Sequence, residues 1–215
     1  LNHFPMLTAL AAFRAQQKKN GQAPVPVIVS SGVSKLADIE NALSVLGTEN
    51  VTLLHCITSY PAPETEYNVR LVRTLRSIFG VPSLAAAMGS VITEKHITLS
   101  KAADGLDDPV ALEPEQFAQM SHALSQCDAV LGHYGGERGP KEIIRQMKDE
   151  YGAGKVDAVL GTGIKTLAPA ERANYGRTNR SLHFMRDMNA GETIRAEDIG
   201  VLRTEKVLTP GISPE

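Results

Sequence analysis

Val25-Pro26-Val27-Ile28-Val29-Ser30-Ser31-Gly32 runs almost directly into Ser34-Lys35-Leu36-Ala37-Asp38-Ile39-Glu40-Asn41-Ala42-Leu43. The first stretch is a short β-branched run, flanked by prolines and closed by a small-residue turn. The second puts Leu36, Ile39, Ala42 and Leu43 on one helical face. A buried strand followed by an amphipathic helix is the building unit of a parallel sheet. Ser34 is the expected N-cap, with Asp38 one place too late to complete a capping box with it.

The unit recurs along the chain. Val51-Thr52-Leu53-Leu54-His55-Cys56-Ile57 reads as a second strand, leading into Thr58-Ser59-Tyr60-Pro61-Ala62-Pro63 and a helix over roughly 66–79. A third unit has a helix around Leu84–Met88, a strand over Ser90–Glu94 and a helix from Pro114 to Leu131. The repetition predicts an α/β fold whose parallel sheet is doubly wound or closed into a barrel. Both architectures place their chemistry at the C-terminal edge of the strands. Here that edge carries Ser30, Ser31, Ser59, Tyr60, Glu94, Lys95 and His96.

Beyond residue 131 the texture changes. Gly132, Gly135, Gly136 and Gly139, a charged helix over Lys141–Tyr151 and a polar stretch to Arg180 read as a connector rather than core. Gly161-Thr162-Gly163 lacks the third glycine and the following helix of a dinucleotide loop, and reads as a turn. From Ser181 the short runs Ser181–Met185 and Ile199–Arg203, around a turn at Asn189-Ala190-Gly191, indicate a small β-rich module that begins near residue 178.

Composition narrows the class. The chain has 215 residues, 22 Lys+Arg against 24 Asp+Glu and a formal net charge of −2. That balance provides no basic face for nucleic acid or anionic lipid. No apolar run approaches the roughly 18–20 residues that a membrane helix needs. Cys56 and Cys127 make neither a disulfide scaffold nor a zinc cage, so a reduced, cytoplasmic protein is expected. The chain opens on Leu1 and closes on the turn chemistry of Pro210-Gly211-Ile212-Ser213-Pro214-Glu215, as a piece of something longer would.

Three strand ends carry candidate chemistry. In Thr93-Glu94-Lys95-His96, alternation puts Glu94 and His96 on one side and Lys95 on the other. A carboxylate beside an imidazole suits a divalent metal or acid–base work, or else a charge cluster that pairs with neighbouring loops. The hydroxyls of Thr58, Ser59 and Tyr60, ahead of a proline-fixed turn, suit a phosphate or a carboxylate. Cys56, inside an apolar strand with no evident base, reads as buried and inert, and His55 as a satisfied core residue. The Ser30-Ser31-Gly32 turn offers backbone N–H groups to an anion ahead of a helix N-terminus, although Ser-Gly is also ordinary turn chemistry. His122, His133 and His183 have no ligand-spaced partners.

In order along the chain, these strand ends resemble the sialic acid synthase family. The resemblance is carried by Asn2-His3-Phe4-Pro5-Met6-Leu7, Val27-Ile28-Val29-Ser30-Ser31-Gly32-Val33 and Leu53-Leu54-His55-Cys56-Ile57-Thr58-Ser59-Tyr60-Pro61-Ala62-Pro63. It continues through Ala87-Met88-Gly89-Ser90-Val91-Ile92-Thr93-Glu94-Lys95-His96-Ile97-Thr98-Leu99 and Leu112-Glu113-Pro114-Glu115-Gln116-Phe117. Arg180-Ser181-Leu182, Gly191-Glu192-Thr193-Ile194 and Glu197-Asp198-Ile199 are similar to the start of the family's antifreeze-like (SAF) domain.

The resemblance implies a (β/α)8 TIM-type barrel followed by a SAF domain, in a domain-swapped homodimer. The C-terminal part of the barrel would occupy 1–131, a connector 132–177 and a partial SAF domain 178–215. The implied reaction condenses phosphoenolpyruvate with an N-acetylated aminosugar, giving a nonulosonic acid and phosphate for cell-surface polysaccharide biosynthesis. Ser30 and Ser59 match positions that hold phosphoenolpyruvate, while Tyr60 and Asp107 match aminosugar contacts. His96 matches a histidine that binds a divalent metal, Mn2+ or Mg2+, with Glu94 beside it as the second catalytic residue. Arg203 matches the SAF arginine that reaches the partner subunit's site. Neither nucleic acid nor membrane is an expected partner.

The match also has gaps. It begins after the family's fourth strand, so the early phosphate-clamping lysine and the early catalytic carboxylate have no counterpart. The strand that bears the second metal histidine would fall between Pro82 and Ser83. The chain by itself is therefore expected not to catalyse the reaction. Two other readings stand beside this one: a Schiff-base aldolase using Lys95, and a non-catalytic barrel remnant that acts as a binding or scaffold module.

Overall fold

A computed structural model describes residues 1–80, 92–204 and 209–214. The chain divides into two compact units, one of Leu1–Val51 with Lys165–Glu215 and one of Thr52–Ile164.

The first unit opens with a helix that no strand–helix pattern announced, α1 (Phe4–Lys19). His3 caps it by accepting the Met6 N–H on Nδ1 at 3.2 Å, and Pro5 stands in its first turn. β1 (Val27–Ser30) and α2 (Leu36–Leu46) follow as the opening motif predicts. Ile39, Ala42, Leu43 and Leu46 are the buried positions of α2. The cap falls one residue later than expected. Lys35 is the N-cap, and its N–H donates to the Asp38 carboxylate at 2.7 Å, so Asp38 stands where a capping-box acid belongs. The Ser34 hydroxyl instead donates to the Gly32 carbonyl at 2.9 Å. Arg14, only 5 % exposed, bolts α1 to the end of α2. Its guanidinium donates to the Leu46 carbonyl at 3.3 Å and to the Glu49 carbonyl. Leu46 closes α2, so its carbonyl has no partner within the helix, and a cation there also suits the helix dipole.

The same unit ends in an antiparallel pair, β3 (Arg180–Phe184) with β4 (Ile199–Arg203), in a register that sets Leu182 opposite Val201. These strands occupy the short runs read from the sequence. Gly191 takes φ 92° in the turn between them. Arg186 ties the hairpin together by donating to Asp198 at 2.7 Å and to Glu192 at 2.8 Å. A short edge segment adds to β3, with the Leu182 N–H donating to the Ile212 carbonyl at 2.8 Å.

The second unit contains α3 (Leu71–Phe79), α4 (Pro114–Tyr134), α5 (Arg138–Tyr151) and α6 (Ala153–Leu160), with short 3-10 turns at Glu64–Glu66 and Asp108–Val110. Val72, Val156 and Leu160 form a buried cluster with Val69 and Ile144 packed against it. Residues expected to be connector therefore carry core. The charged residues of α5 mask the spacing of Ile143 and Ile144, and α6 is too short to show a helical period. Asn68 fastens the chain beyond α6. Its amide donates to the Ile164 carbonyl at 3.0 Å and its side-chain oxygen accepts the Gly163 N–H at 2.7 Å. A Cβ at Gly161 would stand 2.7 Å from the Asn68 Cα, so this turn requires glycine for close approach.

The result is a mixed α/β fold. Among the described residues the strands form two two-stranded sheets, β1 with β2 (Val51–Leu54) and β3 with β4, and not a closed barrel. β2 stops short of the expected Ile57, which leaves His55 and Cys56 beyond the strand. The expected helix at Leu84–Met88 and the start of the expected strand at Ser90 lie outside the described residues. The rest of that strand does not form: residues 92–96 join no ladder, and the first pairing after them is an isolated parallel bridge between Ile97 and Leu112. No helix among the described residues is long and apolar enough to cross a membrane.

Candidate active site

The second unit holds a cavity of about 460 Å³ where the chain leaves β2. Leu54, Ile57, Val69 and Val72 give it an apolar wall, and Tyr60 and the segment Thr93–His96 give it a polar one. β2 fixes the first side: Val51 and Leu53 are buried, while the half-buried Leu54 and the residues that follow it line the cavity. The second side is fixed by backbone bonds around the Ile97 bridge. The Leu112 N–H donates to the His96 carbonyl at 2.9 Å, and the Thr98 N–H donates to the Leu112 carbonyl at 3.0 Å.

Three of the expected site residues, Tyr60, Glu94 and His96, line this cavity together. The Tyr60 ring meets the His96 imidazole edge to face, with centroids 5.7 Å apart. Asp107 joins them. Its carboxylate lies 3.7 Å from His96 Nδ1, held at the entrance to the 3-10 turn whose Val110 N–H bonds the Asp107 carbonyl at 3.1 Å. Partial burial pushes the Tyr60 phenol above its ordinary range, and the electrostatic influence of the neighbouring Cys56, Asp107 and Glu94 adds to the shift. Tyr60 therefore keeps its proton at neutral pH and can donate it in a hydrogen bond. An imidazole backed by a carboxylate can orient a substrate oxygen or carry a proton.

Lys95 and Cys56 stand elsewhere than the sequence pattern predicts. Strand alternation was expected to turn Lys95 away from His96, yet both line the cavity. Without a ladder, the two-residue period has nothing to enforce it. The Lys95 ammonium is engaged with the Val110 carbonyl at 2.9 Å, which ties the His96 segment to the turn that carries Asp107. Cys56 is half-buried in the cavity wall rather than sealed inside a strand. Neither placement had a signal in the sequence, because both depend on where pairing stops.

The remaining expected residues are placed elsewhere. Ser59 is half-buried next to Tyr60, but it is not among the residues lining the cavity. Ser30 ends β1 and Arg203 ends β4, both exposed and both in the first unit. Across the β3–β4 pair, Arg203 stands opposite Arg180.

A divalent ion on His96 requires further donors. Among the described residues, no three His, Cys, Asp or Glu side chains are grouped to hold a metal. One imidazole is short of the four to six ligands, roughly, that such ions take. The described residues do not complete a metal site.

Comparison with known proteins follows the same lines. Over 193 residues the chain is 29 % identical to the N,N'-diacetyllegionaminic acid synthase of Campylobacter jejuni, which covers 81 % of this chain and 49 % of that protein. It is 28 % identical over 177 residues to the pseudaminic acid synthase of Helicobacter pylori, covering 71 % and 51 % respectively. The crystal structure of the Bacillus subtilis spore coat polysaccharide biosynthesis protein SpsE is similar in fold, with a TM-score of 0.72 at 21 % identity over 99 % of this chain and 57 % of that one. The chain thus spans about half the length of the curated relatives it matches. The NeuB family profile matches residues 2–135, well over half of the sequence, and the chain belongs to the NeuB family.

Proposed function

We propose that this chain forms part of a nonulosonic acid synthase, which joins phosphoenolpyruvate to an N-acetylated aminosugar for cell-surface polysaccharide. The observation that carries the reading is the meeting of Tyr60, Glu94 and His96 in one cavity, with Asp107 at the imidazole. Membership of a family whose relatives are named as nonulosonic acid synthases supports it.

In the proposed reaction, C3 of phosphoenolpyruvate attacks the sugar aldehyde and forms the new C–C bond. The aldehyde oxygen takes a proton and becomes a hydroxyl, while water adds at C2 and loses a proton. The C2–O bond to phosphate then breaks, which releases phosphate and leaves a ketone at C2. Tyr60, which keeps its proton, donates a hydrogen bond to the sugar. His96, steadied by Asp107, orients the aldehyde oxygen and takes part in proton transfer with Glu94. Ser59 holds the phosphoenolpyruvate anion. Ser30 and Arg203 keep the roles that the resemblance assigns them, on phosphoenolpyruvate and on the sugar of the partner subunit's site. The TIM-type barrel, the SAF domain, the swapped dimer and a cytoplasmic location belong to the same proposal. So does a Mn2+ or Mg2+ ion with His96 as one ligand, completed by donors beyond the described residues.

The test measures binding and turnover together. Phosphoenolpyruvate and a panel of N-acetylated aminosugars are titrated into the purified full-length protein that carries this chain, and phosphate release and product mass are then followed. Turnover with a product that retains both carbon skeletons supports the synthase. Binding without turnover supports the second reading, a binding module. Binding of neither substrate rejects both.

A further inference from the structure

The loop after β1 is held from a distant part of the chain. Val33 sits at φ 44°, in the left-handed region where a β-branched residue is strained. Its N–H donates to Glu171 Oε1 at 2.8 Å. Glu171 is 1 % exposed, and its other oxygen accepts the Ala168 N–H at 3.4 Å within the 3-10 turn Pro169–Glu171. Ser31, fully buried, accepts the Lys165 ammonium on its carbonyl at 3.1 Å.

These contacts converge on one short loop. A buried carboxylate is costly unless its oxygens meet donors, and a strained backbone persists only where its surroundings over-determine it. Merely turning a strand into a helix needs neither, since a glycine at position 33 would adopt the same φ without strain. The Val33 N–H, which the Ser30-Ser31-Gly32 pattern offered to an external anion, is already occupied by Glu171. Ser30, which the proposed function sets on the phosphoenolpyruvate anion, ends β1 three residues before Val33, at the start of this held loop.

We propose that Glu171 is a positioning residue for Ser30. Its carboxylate, seated on the Val33 N–H, locks the β1–α2 loop in its strained form and so sets where the Ser30 hydroxyl points. The role given to Ser30 rests on the proposed function; the locking of the loop does not.

The experiment compares Glu171→Ala, Glu171→Gln, Val33→Gly and the double variant Glu171→Ala/Val33→Gly in the full chain. Amide hydrogen exchange at Val33 is read against that of α4, and phosphoenolpyruvate affinity is measured by titration. Glu171→Ala is expected to speed Val33 exchange about tenfold beyond any change in α4, and to weaken phosphoenolpyruvate about tenfold, the scale of one lost charge-assisted hydrogen bond. Glu171→Gln keeps an acceptor oxygen and should retain most of the protection. Val33→Gly should restore affinity to the Glu171→Ala protein, because glycine takes this φ freely. Unchanged Val33 exchange in Glu171→Ala, or no rescue by Val33→Gly, overturns the inference. If Glu171→Ala does not fold, Glu171→Gln with and without Val33→Gly carries the comparison, and additive losses overturn it. A wild-type chain that binds no phosphoenolpyruvate overturns the proposed function and the role of Ser30. Unchanged Val33 exchange alone leaves that function standing.

Discussion

The β1–α2 loop of the first unit and the Thr93–His96 segment of the second were read alike from sequence, as polar residues at a strand end. The structure treats them in opposite ways. Ser31, Val33 and Ser34 are buried, and the loop is bonded to Glu171 and Lys165. Thr93, Glu94 and Lys95 are exposed along a cavity, and backbone bonds around the Ile97 bridge position the segment. Polar groups buried in the first region must be satisfied by the protein, whereas those in the second stay within reach of a solute. Proximity to a strand end marks where chemistry can sit; burial decides whether it is used internally.

If the contrast holds, substitutions under the closed loop act on stability and those at the open cavity act on binding. The largest effect is expected from Ile39→Ala. Ile39 is fully buried in the α2 face that follows the loop, so its truncation should cost about 2–5 kcal/mol in urea unfolding, if that transition is two-state. A loss under about 1 kcal/mol would show that this region is no better packed than the surface. Next is Tyr60→Phe, which removes a donor on a residue that is 60 % exposed. Aminosugar affinity should fall about tenfold with the melting temperature nearly unchanged. A variant that loses stability and keeps affinity would assign Tyr60 to packing.

The hairpin sharpens the comparison through acid. The Arg186 side chain and the Arg195 N–H hold the Asp198 carboxyl below its ordinary range. A carboxyl depressed in the folded state stabilises fully above its unfolded value of about 3.9 and loses that contribution as pH falls through the folded value. Thermal melts from about pH 5 downward should therefore fall more steeply for the wild type than for Asp198→Asn. Parallel curves would mean that the ion pair is not formed in solution. The smallest effect belongs to Lys95→Met, expected within about 0.5 kcal/mol of wild-type stability because the side chain is exposed. Borohydride with pyruvate should leave Lys95 unlabelled in the wild type, and labelling would revive the Schiff-base reading.

The legible and illegible parts separate by range. The β-branched run at Val27–Ser30, the apolar face of α2 and the long helix from Pro114 were readable because each is a local period that the structure retains. Tyr60, Glu94 and His96 were readable as candidates because they stand next to such runs. The cap at Lys35 was missed by one residue, since Ser34 turned back to the Gly32 carbonyl. α6 was missed because eight residues scarcely display a helical period. Its Val156 and Leu160 became core only when they met Val72.

By itself, then, the sequence determined the local elements, the α/β texture, the near-neutral charge and the residues able to do chemistry, because all of these follow from neighbours along the chain. Only the tertiary structure decided that Glu171 closes the loop after β1, that Lys95 faces the same cavity as His96, and that Asp107 comes to the imidazole. Those outcomes depend on where β2 stops pairing, and on which buried group, Glu171 among them, had to find its donor elsewhere in the chain.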